Sequence, residues 1–95
     1  MTVRYTVHFN GRVQGVGFRY TAVQIAERHE LAGFVQNLPD GQVTVVAEGK
    51  TKTLDEFVAD VQKQMADFIN DTHIEPSPAT GAFGPAVVSG LLVRY

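Results

Sequence analysis

A change of hydrophobic period between residues 2 and 29 constrains this chain more than any other feature. Val3, Tyr5, Val7 and Phe9 alternate with Arg4, Thr6, His8 and Asn10 over residues 2–10, the two-residue repeat of a strand with one buried face. From Phe18 to His29 the spacing turns helical, with Phe18, Ala22, Ile25 and Ala26 on one stripe and Gln24, Glu27 and Arg28 outside it. The stretch Gly11-Arg12-Val13-Gln14-Gly15-Val16-Gly17-Phe18-Arg19 must hand the strand over to the helix. A helix start exposes backbone N–H groups that have no partner within the helix, and the helix dipole places partial positive charge beside them. Gly15 and Gly17 allow the backbone to turn tightly and a ligand to come close, and Arg19 adds a permanent cation with a planar fork of donors. A cation in the first helical turn is disfavoured by the dipole, and a bound anion would resolve that conflict. Together these residues outline a phosphate cradle built from Gly15, Val16, Gly17, Phe18 and Arg19. Glycines alone would argue only for a tight turn, since most strand-to-helix glycine loops bind nothing. Arg19 and the strand–loop–helix context bring the two readings level.

The rest of the chain supplies four more strands, one of them a short edge strand, and a second helix. Ala32–Asn37 and Gln42–Glu48 read as strands joined by Leu38-Pro39-Asp40-Gly41, where Asp-Gly provides the positive-φ residue of a hairpin. Asn37 therefore sits at the mouth of that hairpin, where an asparagine commonly bonds only local backbone. Thr53-Leu54-Asp55-Glu56 has the pattern of a capping box, with Thr53 at the N-cap and Glu56 three residues on. Leu54, Phe57, Val58, Val61, Met65, Phe68 and Ile69 continue it as an apolar helical stripe, and Asp55, Glu56, Asp60 and Asp67 as a solvated face. Beyond Asn70, Pro76, Pro78, Gly81, Gly84 and Pro85 interrupt the pattern. A short edge strand over Thr72–Glu75 and a last strand over Val87–Arg94 are expected. His8 has the parity of the face opposite the core and reads as a solvated histidine.

The order β-α-β-β-α-β is that of the ferredoxin-like split β-α-β, an α+β fold in which two helices cover one face of an antiparallel sheet. At 95 residues, a single domain over 1–95 is expected. The chain holds no cysteine, which removes disulfides and thiolate metal sites from consideration. A net charge of −2 argues against a general nucleic-acid partner, because phosphate-backbone affinity needs a basic face. No apolar run reaches the roughly 18 residues of a membrane span, and no signal pattern opens the chain. A cytoplasmic monomer with no membrane or nucleic-acid partner is the resulting expectation.

Gly11 to Arg19 resembles the signature of the acylphosphatases, and Gly33-Phe34-Val35-Gln36-Asn37 followed by Gly41, Val43 and Gly49 resembles that family's second signature at matching spacing. The resemblance covers residues 3–69 and extends weakly to Val93-Arg94-Tyr95. It departs from the family at Glu30, where glycine is common, and in lacking Gly-Pro after the second helix. What it implies is hydrolysis of an acyl phosphate to a carboxylate and inorganic phosphate, with no metal, no cofactor and no covalent intermediate. Carried over by motif position, Arg19 and the backbone amides of Gly15 to Arg19 would hold the phosphoryl group, and Asn37 would orient the attacking water. Three alternatives share the fold. A non-catalytic phosphate or acyl-phosphate module would not need both Arg19 and Asn37. An RNA-binding module would carry exposed aromatics on its central strands, and Val43-Thr44-Val45-Val46 has none. A domain detached from a larger maturation enzyme would show a linker, and none is expected here.

Overall fold

The computed structural model describes residues 2–84 and 90–95. Strand β1 (Thr2–Gly11) is followed by helix α1 (Phe18–Ala26), strands β2 (Leu31–Asn37) and β3 (Val43–Lys50), helix α2 (Thr51–Gln64), and strands β4 (Ile69–Pro78) and β5 (Gly90–Arg94). The sheet runs in the order β4-β1-β3-β2-β5. β1 pairs antiparallel with β3 and β4, and β3 with β2, whereas β5 runs parallel to β2. The expected antiparallel sheet is thus a mixed one, its fifth strand parallel, on an otherwise ferredoxin-like α+β plan. Among the described residues, no helix is long and apolar enough to cross a membrane.

The alternation in β1 sends Tyr5, Val7 and Phe9 to the helical side, where they meet Val43, Val45 and Ala47 of β3 and Leu54, Phe57, Val58 and Val61 of α2 in one buried cluster. Phe9 and Phe18 pack with ring centroids 5.1 Å apart, which ties the end of β1 to the first residue of α1. Burial of a side chain of this size contributes about 1.5–3 kcal/mol.

Several boundaries differ from those expected. The α1 helix ends at Ala26 rather than His29, because the Arg28 and His29 amides donate to Ile25 and Ala26, three residues back, and so tighten the last turn. The α2 helix starts at Thr51, not after Thr53. Strand β3 runs straight on to Lys50, which is the N-cap, so Thr53 and Glu56 lie inside the helix and the capping box does not form. Its helical geometry also stops at Gln64, although Met65 stays buried beyond it. The edge strand is ten residues long rather than four, since its prolines, Pro76 and Pro78, are tolerated at the sheet margin. The last strand is described from Gly90; the expected positions 87–89 lie outside the described residues.

The face of the sheet away from the helices carries more structure than its parity suggests. His8 is there as expected, but half-buried, with Nδ1 3.0 Å from the Thr44 hydroxyl. Residues 79–84 fold back onto this face, and Glu48 receives them. Its carboxylate accepts hydrogen bonds from the Thr80 and Gly81 backbone N–H groups, at 2.9 Å each, and from Arg4 Nε at 2.8 Å. On α2, Asp55 and Asp60 are engaged rather than merely solvated: Asp55 accepts from the Tyr5 hydroxyl at 2.7 Å, and Asp60 lies 2.8 Å from His29 Nε2.

Candidate active site

The strand register brings three separate pieces of chain to one end of the sheet. Val43, the first residue of β3, pairs with Phe9 near the end of β1 and with Asn37 at the end of β2. The loop that follows β1 and the hairpin that follows β2 must therefore be neighbours. Because β5 runs parallel to β2, its C-terminal end arrives at the same place, with Val93 opposite Val35 and Arg94 opposite Gln36.

Between these pieces lies a cavity of about 320 Å³ whose lining includes Gly15, Gly17, Phe18, Arg19 and Asn37. Four of the five proposed cradle residues thus border it together with the hairpin asparagine. Val16 does not. Its side chain packs against the core, so only its backbone amide is available to a ligand. Sequence reasoning did not find Val13, Tyr20, Val23, Val93 and Tyr95, which with Phe18 form the apolar part of the lining. Only the parallel pairing of β5 reveals the last two.

The loop has the backbone that an anion site requires. Gly15 and Gly17 have φ of 79° and 77°, in the left-handed region that a side chain strains, and Gly17 is the N-cap of α1. The Gly17 carbonyl accepts the first helical hydrogen bond, from the Thr21 amide at 3.0 Å. Among the described residues, none of the backbone N–H groups from Gly15 to Arg19 donates to a protein acceptor. Nor does any acidic residue stand in the first turn of α1 to balance the helix dipole.

Arg19 is half-buried at this helix start, its guanidinium 5.0 Å above the Tyr95 ring, and among the described residues no carboxylate pairs with it. Asn37 is half-buried too, and its side-chain amide has no protein hydrogen-bond partner among the described residues. The local backbone bonding that the hairpin position suggests for it is made instead by Asp40, whose carboxylate accepts from the Gln42 amide at 3.0 Å. Among the described lining residues there is no His, Asp or Glu, so the charge that side chains bring to the cavity is positive. Such an arrangement can bind a small anion, hold it against a bidentate cation, and present one neutral amide able both to donate and to accept.

One more residue joins the pieces. Gln14, in the loop itself, donates from Nε2 to the carbonyl oxygens of Leu38 at 2.8 Å and Gln42 at 2.9 Å, on the two sides of the hairpin turn.

Comparison with known proteins identifies the family. The family model for Acylphosphatase matches residues 5–83. The chain is 40% identical over 80 residues to the acylphosphatase of Methanospirillum hungatei, covering 82% of this chain and 88% of that one. The crystal structure of acylphosphatase from Bacillus subtilis superposes with a TM-score of 0.82 at 31% identity, over the whole of both chains. The crystal structure of HypF from T. kodakarensis matches with a TM-score of 0.78 at 29% identity, over 98% of this chain and only 12% of that larger one. A match over most of the chain to the family model, and over most of both chains to a relative of that name, decides the matter: the chain belongs to the acylphosphatase family.

Proposed function

We propose that the cavity between the Gly15–Arg19 loop and the β2–β3 hairpin is the site at which this chain hydrolyses acyl phosphates. The observation that carries the proposal is the run of backbone amides from Gly15 to Arg19, unpartnered among the described residues, in a loop that borders one cavity with Arg19 and Asn37. The phosphoryl oxygens take the amides and the Arg19 guanidinium, where charge is stabilised by donors already in place before reaction. Asn37 accepts from and donates to the attacking water, and so fixes its approach to phosphorus. The water oxygen forms a bond to phosphorus as the bond from phosphorus to the acyl oxygen breaks. The products are a carboxylate and inorganic phosphate, which carries the proton that the water gives up. A carboxylate leaves readily, so no acid need protonate it, and positioning with charge stabilisation can carry most of the catalysis. The substrate's own phosphate is the proton acceptor in this scheme. No specific observation favours a non-catalytic phosphate module. The same proposal takes the chain as a single domain over 1–95, acting as a cytoplasmic monomer without a nucleic-acid partner, in keeping with its net charge of −2.

The test is loss of a generic acyl phosphate in the presence of purified protein and excess chelator. Sustained turnover, with one carboxylate and one phosphate released per substrate, is expected. Phosphate binding without turnover would put the non-catalytic module in its place, and turnover abolished by the chelator would overturn the metal-independent scheme.

A further inference from the structure

The two halves of the proposed site have no covalent connection shorter than the whole of α1 and β2. The cradle belongs to the β1–α1 loop, and Asn37 stands at the end of β2, eighteen residues after Arg19. An oriented water is useful only if its separation from the bound phosphoryl group is held to a fraction of an ångström. Backbone pairing through β3 brings the two strand ends together, since Val43 pairs with both Phe9 and Asn37, but it does not reach the loop itself. Something must hold the loop to the hairpin.

Gln14 is placed to do so. Both hydrogens of its side-chain amide are used on the hairpin, one on the Leu38 carbonyl and one on the Gln42 carbonyl. Those two residues already close the hairpin neck, where the Leu38 amide donates to the Gln42 carbonyl at 2.8 Å. The Leu38 carbonyl also accepts from the Gly41 amide at 3.1 Å. Gln14 therefore grips the hydrogen-bonded neck of the turn, one residue after Asn37, from a position one residue before Gly15. A single hydrogen bond would leave the loop free to pivot about it. Two bonds from one planar group fix an orientation as well as a distance. We propose that Gln14 is a positioning residue, a two-pronged clamp that sets the separation between the phosphate-holding loop and Asn37. The proposal rests on the assignment of Arg19 and Asn37 to the reaction. It gives Gln14 no contact with substrate.

The consequence is a coupling between Gln14 and Asn37. Gln14→Leu keeps much of the side-chain volume and removes both donors. Its kcat should fall roughly 10-fold or more, as for an interaction that matters mainly in the transition state. Inhibition by inorganic phosphate, which reports on the loop alone, should change by less than about threefold. In an Asn37→Ala background the same substitution should cost almost nothing further, because no oriented water is left to misplace. The experiment is this double-mutant cycle, read as kcat, the phosphate inhibition constant and the melting midpoint of each variant. If Gln14→Leu does not fold, Gln14→Asn retains the amide with a shorter reach, and the same coupled loss of kcat is expected from it. Equal losses of kcat in the two backgrounds, or phosphate affinity falling in step with kcat, would overturn the clamp while leaving the site assignment standing. Full turnover in Asn37→Ala alone would overturn the site assignment, and the clamp with it.

Discussion

At the scale of single residues, Arg19 is the side chain on which the site turns, and its surroundings predict how it fails. It makes no ion pair among the described residues and lies over the Tyr95 ring, so the fold asks little of it. Replacing it by lysine keeps the charge but substitutes a point cation on a flexible stem for a planar fork of donors. Arg19→Lys should lose about 10²-fold or more in turnover, the scale of one lost transition-state donor. Its stability should stay within about 0.5 kcal/mol of the parent, since lysine keeps a cation near the Tyr95 ring and, among the described residues, no ion pair is lost. Near-normal turnover would show that Arg19 does not hold the phosphoryl group. Arg19 and the glycines were legible in the sequence because their chemistry is local: a loop, a helix start and a cation in consecutive positions. Gln14 stood in the same loop and was not legible. Its partners are carbonyls 24 and 28 residues away, and nothing in a side-chain pattern announces a backbone acceptor.

At the scale of elements, period was a good guide to what forms, and a poorer one to where it stops. Alternation in β1 and the stripe of α2 as far as Val61 were realised, since each follows from burying one face, whereas Met65, Phe68 and Ile69 fall beyond the helix, Ile69 in β4. Ends depend on neighbours. Glu30 stands where the family often has glycine, the residue that commonly closes a helix in the left-handed conformation. No non-glycine residue among those described has positive φ, so α1 is closed instead by its tightened last turn and carries no strain at Glu30. Thr53 makes the same point about α2. Its capping pattern is good in isolation, but β3 continues to Lys50 in register with Thr2, and the helix begins before Thr53 is reached. A working N-cap threonine is worth about 0.5–2 kcal/mol, whereas one inside a helix is a slightly poorer residue than alanine. Thr53→Ala should therefore leave stability within about 0.5 kcal/mol of the parent, or raise it a little. A loss above 1 kcal/mol in urea melts would mean that the cap forms after all.

For the molecule as a whole, the unexpected feature is that residues 79–84 cover part of the sheet's second face, and a buried carboxylate organises that cover. Glu48 is 4% exposed and on the side away from the helices. Burial by itself would raise its pKa. The Thr80 amide, Arg4, the Gly81 amide and the Thr80 hydroxyl all bond its ionised form, outweigh that effect and lower it from 4.5 to about 2. The sequence could not announce this, since Glu48 has the parity of an outward residue and its partners lie 44 and 32 residues away. A carboxylate whose folded pKa is depressed stabilises the fold fully above its unfolded pKa. That stability is lost as pH falls from about 4.5 towards 2. The linkage amounts to about 3 kcal/mol at most, and the loss should be visible as a falling urea midpoint across that window. Glu48→Gln removes the titrating group and leaves the Arg4 guanidinium without its anion. It should lower stability at pH 7 by roughly 2–4 kcal/mol, less than the cost of breaking a fully buried pair because the Arg4 side chain is a quarter exposed, and flatten the decline between pH 4.5 and 2. Its site lies across the sheet from the cavity, so the folded fraction should retain parental kcat at neutral pH. Parent and variant curves that fall in parallel through acid would show that Glu48 does not carry the acid sensitivity. A variant as stable as the parent at pH 7 would show that the folded-back segment 79–84 is held by something other than this carboxylate.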